Sequence, residues 1–336
     1  MLSGLKVGIA LGSGGARGWA HIGVLRRLME LGIEPVCMAG TSIGSIITAV
    51  YATRRMEEAA ALSKRLDWRQ VVRLFFEVGI PHGGLVGGKR VVELLQEIIP
   101  VKTFEELPLP CAAVATDLDT EKAVVLNQGS LIDAIRASIS IPGVFAPKTL
   151  NGRVLLDGGL VNPLPVDVCR DMGAEFVIGI DVNLREMVRK PESKVKPTEP
   201  SPEILAWVDR LGNFSPQLKD SLSSLVKRLS SSLHHDPESE DELSLFDILL
   251  RSFRLTENQI TRWRLETNPP DFLIQPAVAQ IKTLDFHHGE EAIRAGEEAV
   301  DEVLPKLLPL ITPKTEFIES PCPFQMWGKG GMRKKR

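Results

Sequence analysis

Ser42 is the residue whose surroundings first suggest chemistry. It sits at the centre of Gly40-Thr41-Ser42-Ile43-Gly44, the G-x-S-x-G spacing in which a sharp strand-to-helix turn exposes a serine hydroxyl for nucleophilic attack. The flanking glycines allow so tight a turn without a side-chain collision. Taken alone, the pentapeptide is equally compatible with an ordinary Gly-rich turn. Its context favours the first reading, because residues 36–39 read as a buried strand and Ile43–Ala52 as a buried helix, with only Gly40, Thr41 and Ser42 between them. A serine at a helix N-terminus also faces free backbone N–H groups and the positive end of the helix dipole, where negative charge develops in acyl transfer.

Such a serine needs a base. The chain has six histidines, His21, His82, His234, His235, His287 and His288, and none is well placed for a Ser-His-acid triad. His234, His235, His287 and His288 lie in polar or loop-like stretches, His82 lies in a Gly/Pro turn, and His21 falls inside a helical pattern. Asp157-Gly158-Gly159 is a better candidate. It follows the apolar run 154–156, so its carboxylate would emerge at a strand end, and burial could raise its pKa far enough for it to act directly as a base. Without Ser42, Asp-Gly-Gly would read simply as a turn.

The third feature is Gly12-Ser13-Gly14-Gly15-Ala16-Arg17-Gly18, which follows a strand and opens a helix, so that its backbone N–H groups could converge on an anion. A dinucleotide-binding reading fails on spacing. The third glycine of G-x-G-x-x-G is replaced by Arg17, with Gly18 one residue late, and G-x-x-x-x-G-K-[ST] is absent. An oxyanion hole supplied from a loop outside the elbow is the alternative. Arg17 would then either add positive charge or pair with a carboxylate to fix the loop.

The elements around these motifs alternate between strand and helix. Val7–Leu11, residues 36–39, 111–116, Ala123–Leu126, 154–156 and Phe176–Ile180 read as strands, with helices after Trp19 and over Ile43–Ala52, 90–99 and 131–139 between them. This pattern predicts an α/β fold built on a mostly parallel sheet. Residues 185–245 begin charged and Pro-rich and contain an apolar stripe from Leu218 to Leu233, which reads as a linker and helical insertion. Residues 246–312 return to helix and strand patterns that would complete the core begun by 1–184, and 313–336 reads as a basic tail. The apolar faces at 218–233 and 246–253 fit either packing on the core or contact with a membrane surface.

Bulk composition narrows the classes further. A net charge of −3 argues against a nucleic-acid partner. The four cysteines are scattered without a CxxC pair, which suggests neither a disulfide framework nor a zinc site and points to a reducing cytoplasm. The N-terminal apolar run is broken by glycines and reads as a strand rather than a signal peptide.

In this order, the three motifs closely resemble the patatin-like phospholipase family. The resemblance falls on Gly12, Gly14, Gly15, Arg17 and Gly18, with Ala16 between them, for the oxyanion loop; on Gly40 to Gly44 for the elbow; and on Asp157, Gly158 and Gly159 for the base. Ser138-Ile139-Ser140-Ile141-Pro142, followed by Phe145 and Pro147, resembles a further family segment expected to pack near the dyad. Residues 246–281 are similar to bacterial members related to the neuropathy target esterase catalytic domain. The resemblance implies a three-layer α/β/α sandwich, a Ser42–Asp157 dyad without histidine, and hydrolysis of phospholipid or lysophospholipid acyl esters. It implies no metal, and no cofactor is expected; no apolar run reaches the ~20 residues a membrane span needs, so any contact with the inner face of a membrane would be peripheral. A non-catalytic lipid-binding or regulatory protein on the same fold is the alternative. The sequence sets no oligomeric state.

Overall fold

The computed structural model describes residues 5–67, 70–71, 87–183 and 245–311. The apolar runs form strands β1 (Val7–Leu11), β2 (Cys37–Thr41), β3 (Cys111–Asp117), β4 (Ala123–Leu126), β5 (Lys148–Leu150), β6 (Arg153–Asp157), β7 (Phe176–Ile180) and β8 (Phe272–Ile274). Helices are α1 (Ala20–Glu30), α2 (Ile43–Ala52), α3 (Met56–Arg65), α4 (Lys89–Ile98), α5 (Leu131–Ser138), α6 (Val166–Asp171), α7 (Leu245–Thr267) and α8 (Gly289–Ile311).

The eight strands make one mixed, mostly parallel sheet in the order β5-β6-β3-β2-β1-β7-β8, with β4 paired to β3. Strands β3, β2, β1, β7 and β8 run parallel to their neighbours along that path, whereas β6 and β5 are antiparallel additions at one side. Side-chain alternation along the strands supplies both helix layers. Ile9, Leu11, Met38, Ala113, Ile178 and Ile180 point into the larger core beneath α1, α2, α5 and α8. Ala10, Cys37, Ala39, Ala112 and Val177 face α6 on the other side.

Strand register positions the chemistry. Thr41, the last residue of β2, pairs with Val114 of β3, and the next β3 residue, Ala115, pairs with Asp157 at the end of β6. The residue after Thr41 is Ser42, so the pairings carry Ser42 and Asp157 to adjacent rows. Strand β2 starts one residue later than its apolar run suggests and continues through Gly40 and Thr41, because β1 pairs with Gly40 and β3 with Thr41. The turn is therefore tighter than expected: only Ser42 lies between β2 and α2.

Helix α7 spans 23 residues, far more than the apolar stripe at 246–253 implies. Helix α8 runs to Ile311 through Pro305 and Pro309, with Leu307 and Ile311 buried as its anchors. Among the described residues no helix is long and apolar enough to cross a membrane. The apolar stripe at 218–233, the basic tail, His82, His234 and His235 lie outside the described residues.

Candidate active site

Ser42 adopts φ 56° and ψ −123°, a left-handed conformation that costs a non-glycine residue ~1–3 kcal/mol and persists only where its surroundings over-determine it. Those surroundings are specific. The Ser42 N–H donates to Ser138 Oγ at 2.9 Å, and that hydroxyl donates to the Val114 carbonyl at 2.6 Å. The Ser42 carbonyl accepts from the Ser45 N–H and hydroxyl. A side chain on Gly40 would collide with the backbone of Gly44, so the first turn of α2 rests directly on the strand that precedes it. The outcome is a serine whose Oγ donates to Asp157 Oδ2 at 2.6 Å.

Asp157 is held just as firmly. Its N–H donates to the Ser140 carbonyl at 2.9 Å, its carbonyl accepts from Thr116 Oγ1 at 2.8 Å, and its Oδ1 accepts from the Gly159 N–H at 2.8 Å. The segment Ser138-Ile139-Ser140 therefore touches both partners, through a hydroxyl on one side and a carbonyl on the other. Burial pushes the Asp157 carboxyl up to about 8, reinforced by the negative charge of Glu257 on α7 and opposed by the bonds from Ser42 and Gly159. Among the described residues, no imidazole is hydrogen-bonded to Ser42.

The Gly-rich loop divides its donors. Gly12 N–H donates to the Ile180 carbonyl, Ser13 N–H to Pro163 and Ala16 N–H to Thr283, each at 2.9 Å. Among the described residues, the Gly14 and Gly15 N–H groups donate to no acceptor. Gly15 takes φ +58°, and a side chain there would strike the Thr283 backbone, so only glycine fits. At Gly18 a side chain would strike Ile43, which shows how closely this loop packs on the elbow. The N–H of Ile43, first in α2, is one of the donors a helix leaves without an internal partner.

Arg17 fixes the loop. Its Nε and Nη2 donate to Asn183 Oδ1 at 3.1 and 2.8 Å, and its Nη1 donates to the Ile281 carbonyl at 3.0 Å. Asn183 in turn donates to the Ser13 carbonyl at 2.9 Å. The hydrogen bonds of the clamp go to an amide and a carbonyl, while the carboxylates of Glu257, Asp181 and Asp285 act on the guanidinium through charge. His21 holds the same loop from the other end. Its buried Nε2–H donates to the Gly12 carbonyl at 2.9 Å, and burial lowers its pKa to about 4, so the ring is neutral. The sequence placed His21 only as part of a helix, whereas it braces the loop itself.

The loop geometry gives an expected result. A methyl group at Gly14 would run into the Val182 side chain and approach Asn183 Oδ1 at 3.3 Å. Gly14→Ala should therefore displace a free N–H and lower ester turnover by ~10²–10³-fold, with a smaller loss in thermal stability. Wild-type turnover in a folded variant would place the donors elsewhere.

Ser42 and Gly15 both line a cavity of about 110 Å³. Ile43, Ile46, Ile47 and Val50 form one wall along α2, and Leu95 and Phe145 add to the lining. At 1.5 Å per helical residue, the span from Ser42 to Val50 is about 12 Å. The chamber is apolar, with Ser42 on its lining.

The site sits at a strand-to-helix turn of an α/β fold in which helices cover both faces of a mostly parallel sheet. The chain matches the family model for patatin-like phospholipase over residues 9–170. An uncharacterized NTE family protein of Mycobacterium tuberculosis is 32% identical, the alignment covering 89% of this chain and 91% of the relative. Human patatin-like phospholipase domain-containing protein 6 is 35% identical over 55% of this chain and 14% of its own length. The mouse domain-containing protein 7 is 34% identical with the same coverage. The chain belongs to the patatin-like phospholipase family, and its closely matching relatives include NTE family proteins. Hydrolysis of lipid esters is the general activity this membership supports.

Proposed function

We propose that the chain is a serine acyl hydrolase that cleaves fatty-acyl esters of phospholipids or lysophospholipids through a Ser42–Asp157 dyad. The observation that carries this reading is the 2.6 Å hydrogen bond from Ser42 Oγ to a buried carboxyl, made by a serine that lines an apolar cavity. The ionised Asp157 takes the Ser42 proton as Oγ attacks the ester carbonyl. The N–H groups of Gly14, Gly15 and Ile43 stabilise the oxyanion. Collapse of the tetrahedral species transfers the proton from Asp157 to the leaving alcohol and leaves an acyl-enzyme. Asp157 then takes a proton from water as its oxygen attacks the acyl carbon, and returns that proton to Ser42 Oγ as the acyl–Oγ bond breaks and the fatty acid leaves. No step uses a metal or cofactor. In this reading residues 1–184 and 246–312 build the catalytic core, 185–245 is an insertion and 313–336 a tail.

The test is incubation with phospholipids, lysophospholipids and p-nitrophenyl esters of graded chain length, followed by identification of the released acid and alcohol. Release of free fatty acid from at least one lipid supports the reading, and none from any of them would overturn it. Chain-length dependence supplies a second readout. Val50 stands at the far end of the α2 wall, so Val50→Phe should leave butyrate hydrolysis nearly unchanged while long-chain esters lose roughly 10-fold or more in kcat/KM. Equal loss at every length would detach the cavity from acyl binding.

A further inference from the structure

Glu257 lies outside every motif of the sequence, yet it is buried at 4% exposure beside the dyad. It projects from α7, remote in sequence from both Ser42 and Asp157. A Cβ built on Gly159 would collide with Glu257 Oε1 and meet Asp157 Oδ1 at 3.1 Å. The two carboxyl groups are thus separated by little more than the space of one absent methyl group. This accounts for the second glycine of Asp157-Gly158-Gly159: any side chain there would displace Glu257.

We propose that Glu257 is a positioning residue whose carboxylate acts across Gly159 to set the proton affinity of Asp157, the base of the proposed dyad. The proposal rests on that dyad being the catalytic pair. A negative charge at Glu257 disfavours ionised Asp157 and favours the protonated form produced when Ser42 gives up its proton. It strengthens the base at the moment of attack, at the cost of a smaller ionised fraction near neutrality.

The charges around the two groups are consistent with that assignment. Glu257 is faced by Ser13 and Arg17 from the loop after β1, by Asp181 from the end of β7 and by Arg254 from its own helix. Asp157 is faced by Ser42, the Gly159 N–H and Glu257. Burial moves Glu257 up to about 7, opposed by Ser13, Arg17 and Arg254, so its charge develops in the same range in which Asp157 titrates. Two carboxyls this close titrate as a coupled pair.

The experiment measures the rate of fluorophosphonate labelling and of p-nitrophenyl butyrate hydrolysis from pH 5 to pH 10, in the full chain and in Glu257→Gln and Glu257→Asp. Peptide mapping establishes that the label is on Ser42, and Ser42→Ala serves as the control for the dyad reading itself. In Glu257→Gln the midpoint should move to lower pH by about one pH unit, and the high-pH plateau should fall roughly 3- to 10-fold as the base weakens. Glu257→Asp keeps the charge but draws it back by one methylene, so its midpoint should lie between those of the wild type and the amide variant. If the amide variant does not fold, a midpoint below wild type in Glu257→Asp supports the proposal. Labelling on Ser42 with an unmoved midpoint in every variant that folds would overturn the role of Glu257 while leaving the dyad intact. Loss of plateau alone would mark Glu257 as structural and overturn it too. Labelling that survives Ser42→Ala would instead overturn the reading on which the proposal rests.

Discussion

Ser42→Ala is expected to give a folded protein with no acyl-ester hydrolysis above background and no labelling by a fluorophosphonate. Both reactions need the same oxygen, and loss of a covalent nucleophile that works as a unit with its base costs ~10⁴–10⁶-fold in turnover. Folding should survive because the contacts that hold the elbow belong to the backbone. The N–H of residue 42 still donates to Ser138 Oγ, and its carbonyl still accepts from Ser45. The left-handed φ of 56° is retained, with an alanine that bears about the same conformational cost as serine. The unpartnered oxygen left behind is Asp157 Oδ2, which burial keeps largely protonated near neutrality. Activity and melting temperature together decide the matter: wild-type labelling of the alanine variant removes Ser42 from the mechanism.

Much of this site was legible in the sequence because its geometry is local. The elbow needs glycines within two residues of Ser42, the Gly-rich loop after β1 needs them within one turn, and short apolar runs bounded by turn residues mark buried parallel strands. The parts that were not legible depend on partners far along the chain. Arg17 is clamped by Asn183 and Ile281, 166 and 264 residues away, and nothing beside Arg17 indicates an amide rather than a carboxylate. The Gly-rich run did not reveal which N–H groups are already committed, because their acceptors, Ile180, Pro163 and Thr283, come from three separate loops and strand ends.

Glu257 was missed for a different reason. In the run Arg254-Leu255-Thr256-Glu257-Asn258-Gln259 it reads as one polar residue on a solvated face. Its signal is periodic: Phe253, Glu257 and Thr261 recur every four residues, and all three are buried. A carboxylate continuing an apolar stripe is costly unless the site uses or compensates it, which makes such a position informative when the stripe is followed beyond its last hydrophobic residue.

Asp157→Asn is expected to silence the enzyme nearly as completely as Ser42→Ala, while making the protein more stable. The amide preserves shape and most contacts: its oxygen can still accept from the Gly159 N–H, and its NH₂ can donate to Ser42 Oγ, but it cannot take the serine proton. The stability gain follows from the sign of the pKa shift. Asp157 titrates at about 3.9 in an unfolded chain but at about 8 in the fold. Between those values the unfolded state is ionised and the folded state is not, so rising pH favours unfolding through this group. The contribution is fully favourable below the unfolded value and is lost progressively until the folded value is passed. Asparagine has no such dependence. The melting temperature of Asp157→Asn relative to wild type should therefore increase from about pH 4 to about pH 8 and level off above, while wild-type turnover rises with pH through the same ionisation as the base form appears. A single histidine whose replacement silences a folded enzyme, found together with substantial turnover in Asp157→Asn, would require the base to be reassigned. His21 is the sharpest control, because His21→Gln should disturb the Gly12 carbonyl and lower turnover only modestly, leaving Ser42 open to labelling. A variant that loses activity, gains stability and does so increasingly toward the folded pKa of about 8 identifies the group that the fold keeps buried at the expense of its own stability because the reaction needs a strong base there.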